Sequence, residues 1–350
     1  MTTTEHDVAL DQLYADFAAH QLMPLWTVRG DLMPTAPRPA AVPHAWRWTD
    51  VLPLAQRAGE LVPVGRGGER RAIAYANPGL PGEPYATPTL WAAVQYLGPR
   101  EVAPAHRHSQ SAFRFVLDGE GVWTVVDSDP VAMRKGDLLL TAGWRWHEHH
   151  NPGDAPMVWL DGLDIPLVSA LDAGFFDFGP DDVADRSTPP TSRSERLWAH
   201  PGLRPVAEPT THTSPLMAYR WHHTDAALTA QLELAESGHD GAVGPGHAAV
   251  RYSNPTTGGD ALVTMRLEMH RLAAGATSAA SRRVGSSVWQ VFEGDGAFVL
   301  DRRVIDVTRG DVIAVPSWCS VSIRGTSQLD LFMFSDAPVY EALNLTGVRT

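Results

Sequence analysis

An internal repeat constrains this chain more than any other feature. Tyr75 to Pro78 reads YANP and Tyr252 to Pro255 reads YSNP; Asp118 to Gly121 reads DGEG and Glu293 to Gly296 reads EGDG; Lys135 to Trp144 reads KGDLLLTAGW and Arg309 to Trp318 reads RGDVIAVPSW. The pairs keep their order and are 177, 175 and 174 residues apart. One unit has been duplicated, so the fold must hold two copies of it. Around these landmarks the runs AAVQYL, FRFVL, VWTVV, DLLLT and MVWLDGL alternate or are rich in β-branched residues, and Gly, Pro and Asp interrupt them at close intervals. That texture belongs to short strands in a sandwich or barrel. The expectation is an all-β chain with two β-barrel domains.

The remaining segments read as additions to that frame. Val8, Leu10, Leu13, Phe17 and Leu22 fall near helical spacing, which predicts an amphipathic packing helix ending before Pro24. Prolines recur from Met33 to Pro63 and suggest an extended arm over a surface. This reading divides the chain into a helix and arm over 1–60, a first barrel over 61–178, a Pro- and Ser-rich linking and covering segment over 179–240, and a second barrel over 241–350. With 350 residues, 44% of them hydrophobic and 19% charged, burial is not limiting. A formal charge of −12 with no basic block disfavours nucleic acid and anionic membranes as partners. A single cysteine, Cys319, and an N-terminus lacking basic and apolar blocks point to a reducing cytoplasm.

The chemistry gathers in AHRHSQSAFRFVLDGEG and WRWHEHHN. On a strand, residues two apart share a face, so His106 and His108 converge. His147, 39 residues beyond His108, lies far enough along to return beside them on a neighbouring strand. Three neutral imidazoles suit a borderline metal such as Fe, Zn, Ni or Cu and leave coordination positions open, unlike a closed structural zinc site. Comparison of the two halves supports this reading. At the repeat offsets His106, His108 and His147 correspond to Ser281, Arg283 and Val321, so the histidines vanish together while the turns and apolar runs persist.

H-x-H, a Gly-Asp turn and a later His resemble the two motifs of the cupin superfamily, and the repeat makes the chain a bicupin, two jelly-roll barrels. VAPAHRHSQSAFRFVLDGEG, GDLLLTAGWRWHEHHNPGDAPMVWLDGLDIPLV and the upstream LMP and WRW resemble more narrowly the gentisate 1,2-dioxygenase family, which includes salicylate and 1-hydroxy-2-naphthoate dioxygenases. The likeness is densest from Leu22 to Phe176. Cupins often place a glutamate four or five residues after the second His; here Ala112 and Phe113 stand there, and this family likewise has an all-histidine site. The resemblance implies Fe(II) on His106, His108 and His147, and an aromatic hydroxy acid and dioxygen as reactants. Cleavage then falls between the carboxylate-bearing and hydroxyl-bearing carbons, giving maleylpyruvate from gentisate. It also implies a homo-oligomer, often a tetramer, in which the N-terminal helix and arm make contacts.

Around that centre, Arg114 in FRFVL shares strand parity with the histidines. An unpaired buried guanidinium is costly, so it is expected to meet the substrate carboxylate; its second-half counterpart is Trp289. His149 shares parity with His147 and is expected to hydrogen-bond substrate or oxygen, with Asp161 as its orienter. Trp91 and Gln95 lie on one strand face and match pocket positions of the family. Arg70, in preference to Arg71, offers a second anion contact. Glu148 and His150 have the opposite parity and should face outward. His150 stands where the family often has Gly and Phe113 where an aliphatic is commoner, two positions expected to bear on the ring substituents accepted. The second barrel, without ligands, should bind no iron and serve assembly. Two other readings stay open on the residues: a Zn, Mn or Ni cupin acting as a Lewis acid in isomerisation or hydrolysis, and a non-enzymatic bicupin that binds a small acid.

Overall fold

A computed structural model describes residues 3–62, 71–179 and 189–346. The chain separates into Met1–Pro39 and Ala40–Thr350. In the first unit the helix Thr3–Ala19 stops five residues before Pro24, the chain turns at Gln21 (φ 55°), and a second helix, Leu25–Leu32, starts after Pro24. The expected helix ends before Pro24, three residues short of Leu22, and a second helix that the spacing did not indicate follows it. Proline suits the position before a first turn, where no N–H is needed. The unit is held by Phe17 edge-on to Trp26 at 6.2 Å and by a 3.2 Å hydrogen bond from the Trp26 Nε1 to the Tyr14 hydroxyl. Val8, Leu10 and Leu13 remain exposed in the single chain.

In Ala40–Thr350 the duplicated strands form two pairs of antiparallel sheets, the all-β bicupin architecture that the repeat predicts. The first half stacks a six-stranded sheet, running Ala218–Tyr219, Leu138–Thr141, Ala112–Asp118, Met157–Leu163, Trp91–Leu97 and Ala72–Ala74, on a five-stranded sheet, running Phe176–Phe178, Val102–His108, His147–His150, Glu120–Val126 and Asp129–Arg134. The second half repeats this with His44–Trp46, Val312–Val315, Ser287–Glu293, Leu329–Ser335, Arg266–Leu272 and His247–Arg251 on Ser281–Arg282, Ser320–Gly325, Gly296–Leu300 and Arg303–Val307. Alternation decides what each strand buries. Val116, Leu139, Met157 and Trp159 fill the first barrel, and Val291, Phe298, Ile313 and Leu331 the second. Phe113, Phe115, Val158 and Leu160 face the other way and meet Phe292, Phe332 and Phe334 of the second half in a shared core. There Phe115 lies parallel to Phe332, with ring centroids 4.3 Å apart.

Two sequence expectations change. The proline-rich arm is not extended throughout, because Trp48–Leu61 is a helix with Pro53 in its sixth position. The segment 179–240 is more than a link, because it carries the helices Arg193–Trp198 and Trp221–Glu236 and the strand Ala218–Tyr219. Both departures have one origin. The repeat starts earlier than its obvious landmarks, at Trp46-Arg47-Trp48 and Tyr219-Arg220-Trp221, and each of these starts crosses to the opposite barrel. His44–Trp46 pairs with Val312–Ala314 of the second half, and Ala218–Tyr219 pairs with Leu138–Leu139 of the first.

Each crossing is clamped at a Gly-Asp turn. Arg220 donates to Asp137 at 2.5 Å and to Glu195 at 2.6 and 2.7 Å, and the Trp221 N–H donates to Asp137 at 2.9 Å. Arg47 and the Trp48 N–H bind Asp311 in the same way, at 2.7 and 2.8 Å. The indoles explain the glycines. Gly136 (φ +82°) lies under Trp221 and Gly310 (φ +92°) under Trp48, where a Cβ would sit 2.7 and 2.2 Å from the ring, and the left-handed φ already favours glycine. Burial pushes the Asp137 carboxyl up, and Arg220 opposes that shift.

The two clamps should differ in strength. Removing one partner of a buried ion pair typically costs about 3–5 kcal/mol. Arg220 is buried and its loss leaves two buried carboxylates, Asp137 and Glu195, whereas Arg47 is partly exposed and its loss leaves one, Asp311. Arg220→Ala is therefore expected to lower the urea midpoint more than Arg47→Ala, which lowers it as well; equal losses would contradict this account.

Candidate metal centre

His106 and His108 come from the strand Val102–His108, and His147 opens the strand His147–His150 beside it. Pairing runs Ala103 to His149 and then His106 to His147, so one extra residue bulges out between them. Without that bulge Ala105 would oppose His147. Pro104 lies in the bulge, where its missing N–H costs no ladder bond. The three imidazoles are buried, and their ligand atoms all lie within 4.8 Å of one another. Ring centroids are 3.9 Å apart for His106 and His147 and 4.9 Å apart for His108 and His147.

Backbone carbonyls set the orientation of each ring. The Nδ1 of His106 lies 2.9 Å from the Pro104 carbonyl, that of His108 2.8 Å from the Gln110 carbonyl, and that of His147 3.0 Å from the Arg145 carbonyl. A carbonyl only accepts, so each Nδ1 carries the proton and each Nε2 keeps its lone pair. The His147 Nε2 is buried with no hydrogen-bond partner. Burial first, then the neighbouring His106, Arg114, His108 and His149, holds the His147 pKa well below the usual histidine range. A neutral, oriented lone pair with nothing to bind is what a metal ligand requires, so the donor set fits a bound metal ion.

The six-stranded sheet presents the other predicted residues. Arg114 and Asp161 are direct cross-strand neighbours, both buried, with Nε and Oδ1 3.5 Å apart. Arg114 also donates to the Thr141 hydroxyl at 2.7 Å. Burial lowers the Arg114 pKa, and Asp161 counters that shift. Gln95 is buried opposite Trp159, and Trp91 lies on the same strand face. His149 is buried, 6.1 Å from His147 and 5.4 Å from Trp159 by ring centroids. Phe176 lies parallel to His106 at 5.7 Å. Sequence reading missed Thr141, Trp159 and Phe176. The parity of LLLT and MVW would have turned the first two inward, whereas the crossing that brings Phe176 back over His106 leaves no local trace.

Other expectations are revised. Arg70 lies outside the described residues; Arg71 is buried and committed to Glu101, 2.8 Å from its Oε1. Glu148 and His150 keep the opposite parity but are not solvent-facing. Both are buried, His150 lies parallel to Trp123 at 5.6 Å, and its Nε2 is 3.0 Å from the Glu148 Oε1. Phe113 points away from the histidines, edge-on to Phe334 at 4.8 Å. Neither Phe113 nor His150 shares the inward face, so neither touches the site directly.

The second half preserves the backbone and discards the ligands. Ser281 pairs with Val321 as His106 pairs with His147. The Trp318 N–H binds the Arg283 carbonyl as the Trp144 N–H binds the His108 carbonyl. Among the described residues, His106, His108 and His147 are the one group of three or more side chains placed to hold a metal.

Comparison with known proteins agrees with this architecture. The Cupin domain family matches residues 93–163. A gentisate 1,2-dioxygenase from a Streptomyces species is 67% identical over 336 residues, covering 96% of this chain and 94% of the relative. A 1-hydroxy-2-naphthoate 1,2-dioxygenase from Nocardioides sp. (strain KP7) is 37% identical, covering 88% of this chain and 79% of the relative. The crystal structure of the salicylate 1,2-dioxygenase from Pseudoaminobacter salicylatoxidans as its gentisate adduct superposes with a TM-score of 0.94 at 57% identity, covering 97% of this chain and 93% of that one. A cupin fold with three converging histidines, together with 67% identity over nearly the whole chain to a gentisate 1,2-dioxygenase, places this chain in the gentisate 1,2-dioxygenase family.

Proposed function

We propose that this protein is an Fe(II)-dependent ring-cleaving dioxygenase that adds both atoms of dioxygen to a 2-hydroxybenzoate-type acid, gentisate first. It opens the ring between the carboxylate-bearing and hydroxyl-bearing carbons to give maleylpyruvate. The observation that carries this reading is the buried trio His106, His108 and His147, each protonated at Nδ1 and none accompanied by a carboxylate ligand. His106, His108 and His147 would hold a ferrous ion whose uncompensated charge suits chelation by the acid's carboxylate and adjacent hydroxyl and which would supply the redox chemistry between ring and dioxygen.

The protein's own residues supply selection and placement. Three neutral ligands leave the charge deficit to the substrate, so a dianionic chelate is favoured over a neutral ring. Arg114, on the inward face, is held by Thr141 and Asp161 in one orientation and is assigned to the substrate carboxylate. His149 is assigned a hydrogen bond to substrate or oxygen, with Asp161 as its orienting partner. Trp91 and Gln95 line the ring, and Arg70 is kept as a second anion contact. Salicylate and 1-hydroxy-2-naphthoate present the same chelating pair and are the runner-up substrates. A homo-oligomer, tetramer first, and a cytoplasmic location complete the proposal; the exposed Leu22, Met23, Leu25 and Trp26 and the free, buried Cys319 support them.

Oxygen uptake on adding gentisate tests the central reading. Protein reconstituted with ferrous iron should consume one dioxygen per gentisate and form an absorbing opened product. Chelation should abolish both, and iron but not zinc should restore them; equal turnover without oxygen would refute the dioxygenase. His106→Ala should lose bound iron by elemental analysis and lose activity, while its thermal midpoint stays near that of metal-free wild type.

The role of Arg114 is tested with its charge partner in mind, since removing it alone takes the cross-strand cation from a buried Asp161. The double variant Arg114→Gln/Asp161→Asn is expected to retain iron and to lose roughly ten- to a hundredfold in kcat/KM for gentisate, the range for one charge-assisted hydrogen bond. Unchanged steady-state oxygen uptake would remove Arg114 from the site.

A further inference from the structure

The second barrel has no counterparts of the three histidines, yet beside its apolar core its interior keeps an open, partly polar end. A cavity of about 200 Å³ lies there, lined by His247, Glu268, His270, Ser281, Arg283 and Trp289 among others. Pockets for drug-sized ligands run to about 300–1,000 Å³, so this one suits something smaller, on the scale of a single ring. Register shows where these groups came from. His270 faces Leu331, and Glu268 faces Met333, at the places where Gln95 and Ala93 face Trp159 and Asp161 in the first half. The polar groups have been rebuilt at the old inward positions.

The cavity's hydrogen bonds leave specific valences open. Glu268 is bound by the His270 Nε2 at 3.3 Å, and the His270 Nδ1 lies 3.0 Å from the His247 Nε2. A carboxylate accepts, so His270 carries its proton on Nε2, and His247 donates from Nε2 to the His270 Nδ1. That leaves the His247 Nδ1 as a lone-pair acceptor with no hydrogen bond among the described residues. Burial, together with neighbouring His270, lowers the His247 pKa to about 4, which keeps this acceptor neutral. Glu268 is further balanced by Arg251 at 3.5 Å, and Asp336, another lining residue, is held by Thr89 and by the Ser286 N–H.

Arg283 is different. It is exposed, and its guanidinium makes no hydrogen bond or ion pair among the described residues. Glu341, whose carboxylate it influences, is already bound by Arg266 at 2.8 and 2.7 Å. Trp289 completes the lining with an indole fixed by a 2.9 Å hydrogen bond from its Nε1 to the Ser287 hydroxyl.

We propose that this second-barrel cavity is a metal-free binding site for a small aromatic hydroxy acid, its carboxylate on Arg283, its ring against Trp289 and its hydroxyl donating to His247. The unpaired cation, the flat apolar wall and the open acceptor together match that chemistry. A metal is not required, so the hydroxyl need not adjoin the carboxylate. The inference does not depend on the reaction proposed for the first barrel.

The test is anaerobic calorimetric titration of the full-length, iron-loaded protein with salicylate and with 3-hydroxybenzoate, which cannot chelate through adjacent groups. Wild type should show a binding event for 3-hydroxybenzoate, and Arg283→Gln should weaken it on the order of tenfold or more. His247→Phe, checked for an unchanged thermal midpoint, should weaken the same event. Gentisate-dependent oxygen uptake should be unchanged in Arg283→Gln, which separates this site from the first. If neither acid shows a binding event that Arg283→Gln weakens, the proposal is wrong.

Discussion

The crossed clamp of each barrel on the other is the interaction on which the rest of this structure depends. Arg220 leaves the start of the second repeat to bind Asp137 of the first barrel, and Arg47 leaves the start of the first repeat to bind Asp311 of the second. Each barrel's large sheet is therefore completed by a strand from the other's repeat, and neither sheet can shift alone. The consequence reaches the site through strand alternation. Phe113 and Phe115 are locked against Phe332 and Phe334 on one face, which fixes Arg114 between them on the other. The barrel without the three histidines thus forms the back wall of the one that has them.

The site itself shows how little is needed to make or unmake a metal centre on a shared frame. A one-residue bulge at Pro104–Ala105 brings His106 opposite His147, and three backbone carbonyls fix the tautomers. These carbonyls belong to the strands and turns themselves, so no extra side chains are required to orient the ligands. In the second half the pairing of Ser281 with Val321 survives without its imidazoles. Arg114, in contrast, has been kept costly. A buried guanidinium with a single carboxylate at 3.5 Å and one hydroxyl is poor value for stability alone, which is consistent with its assignment to an anion.

The divergence of the two barrels is a change of ligand set within one geometry. The first carries lone pairs aimed at a cation, with Arg114 beside them. The second carries the Glu268, His270 and His247 chain, an exposed Arg283 and the wall of Trp289. Both interiors carry polar side chains at some of the positions where alternation points inward, beside an apolar core. The apolar residues that bind the sheets back to back lie on the opposite face, so either interior could change without disturbing the shared core.

The amino-acid sequence by itself determined the duplication, the all-β class and the histidines that belong together, because these follow from a repeat offset, a period of two and an H-x-H spacing that local order preserves. The shared face of Arg114 with the histidines followed from the same parity. The arm and the linking segment also hold helices, Trp48–Leu61 and Trp221–Glu236, each following an arginine of the Arg-Trp pairs 47–48 and 220–221, starts that precede the Tyr75 and Tyr252 landmarks of the repeat. Only the tertiary structure decided that those starts exchange barrels, that Glu148 and His150 are buried on the outer face, that Phe113 belongs to the shared core, and that Phe176 closes over His106. The physical reason is range: a strand's own pattern fixes which side chains share a face, but which partner covers that face is set by segments of other strands and of the other half, and no periodicity records them.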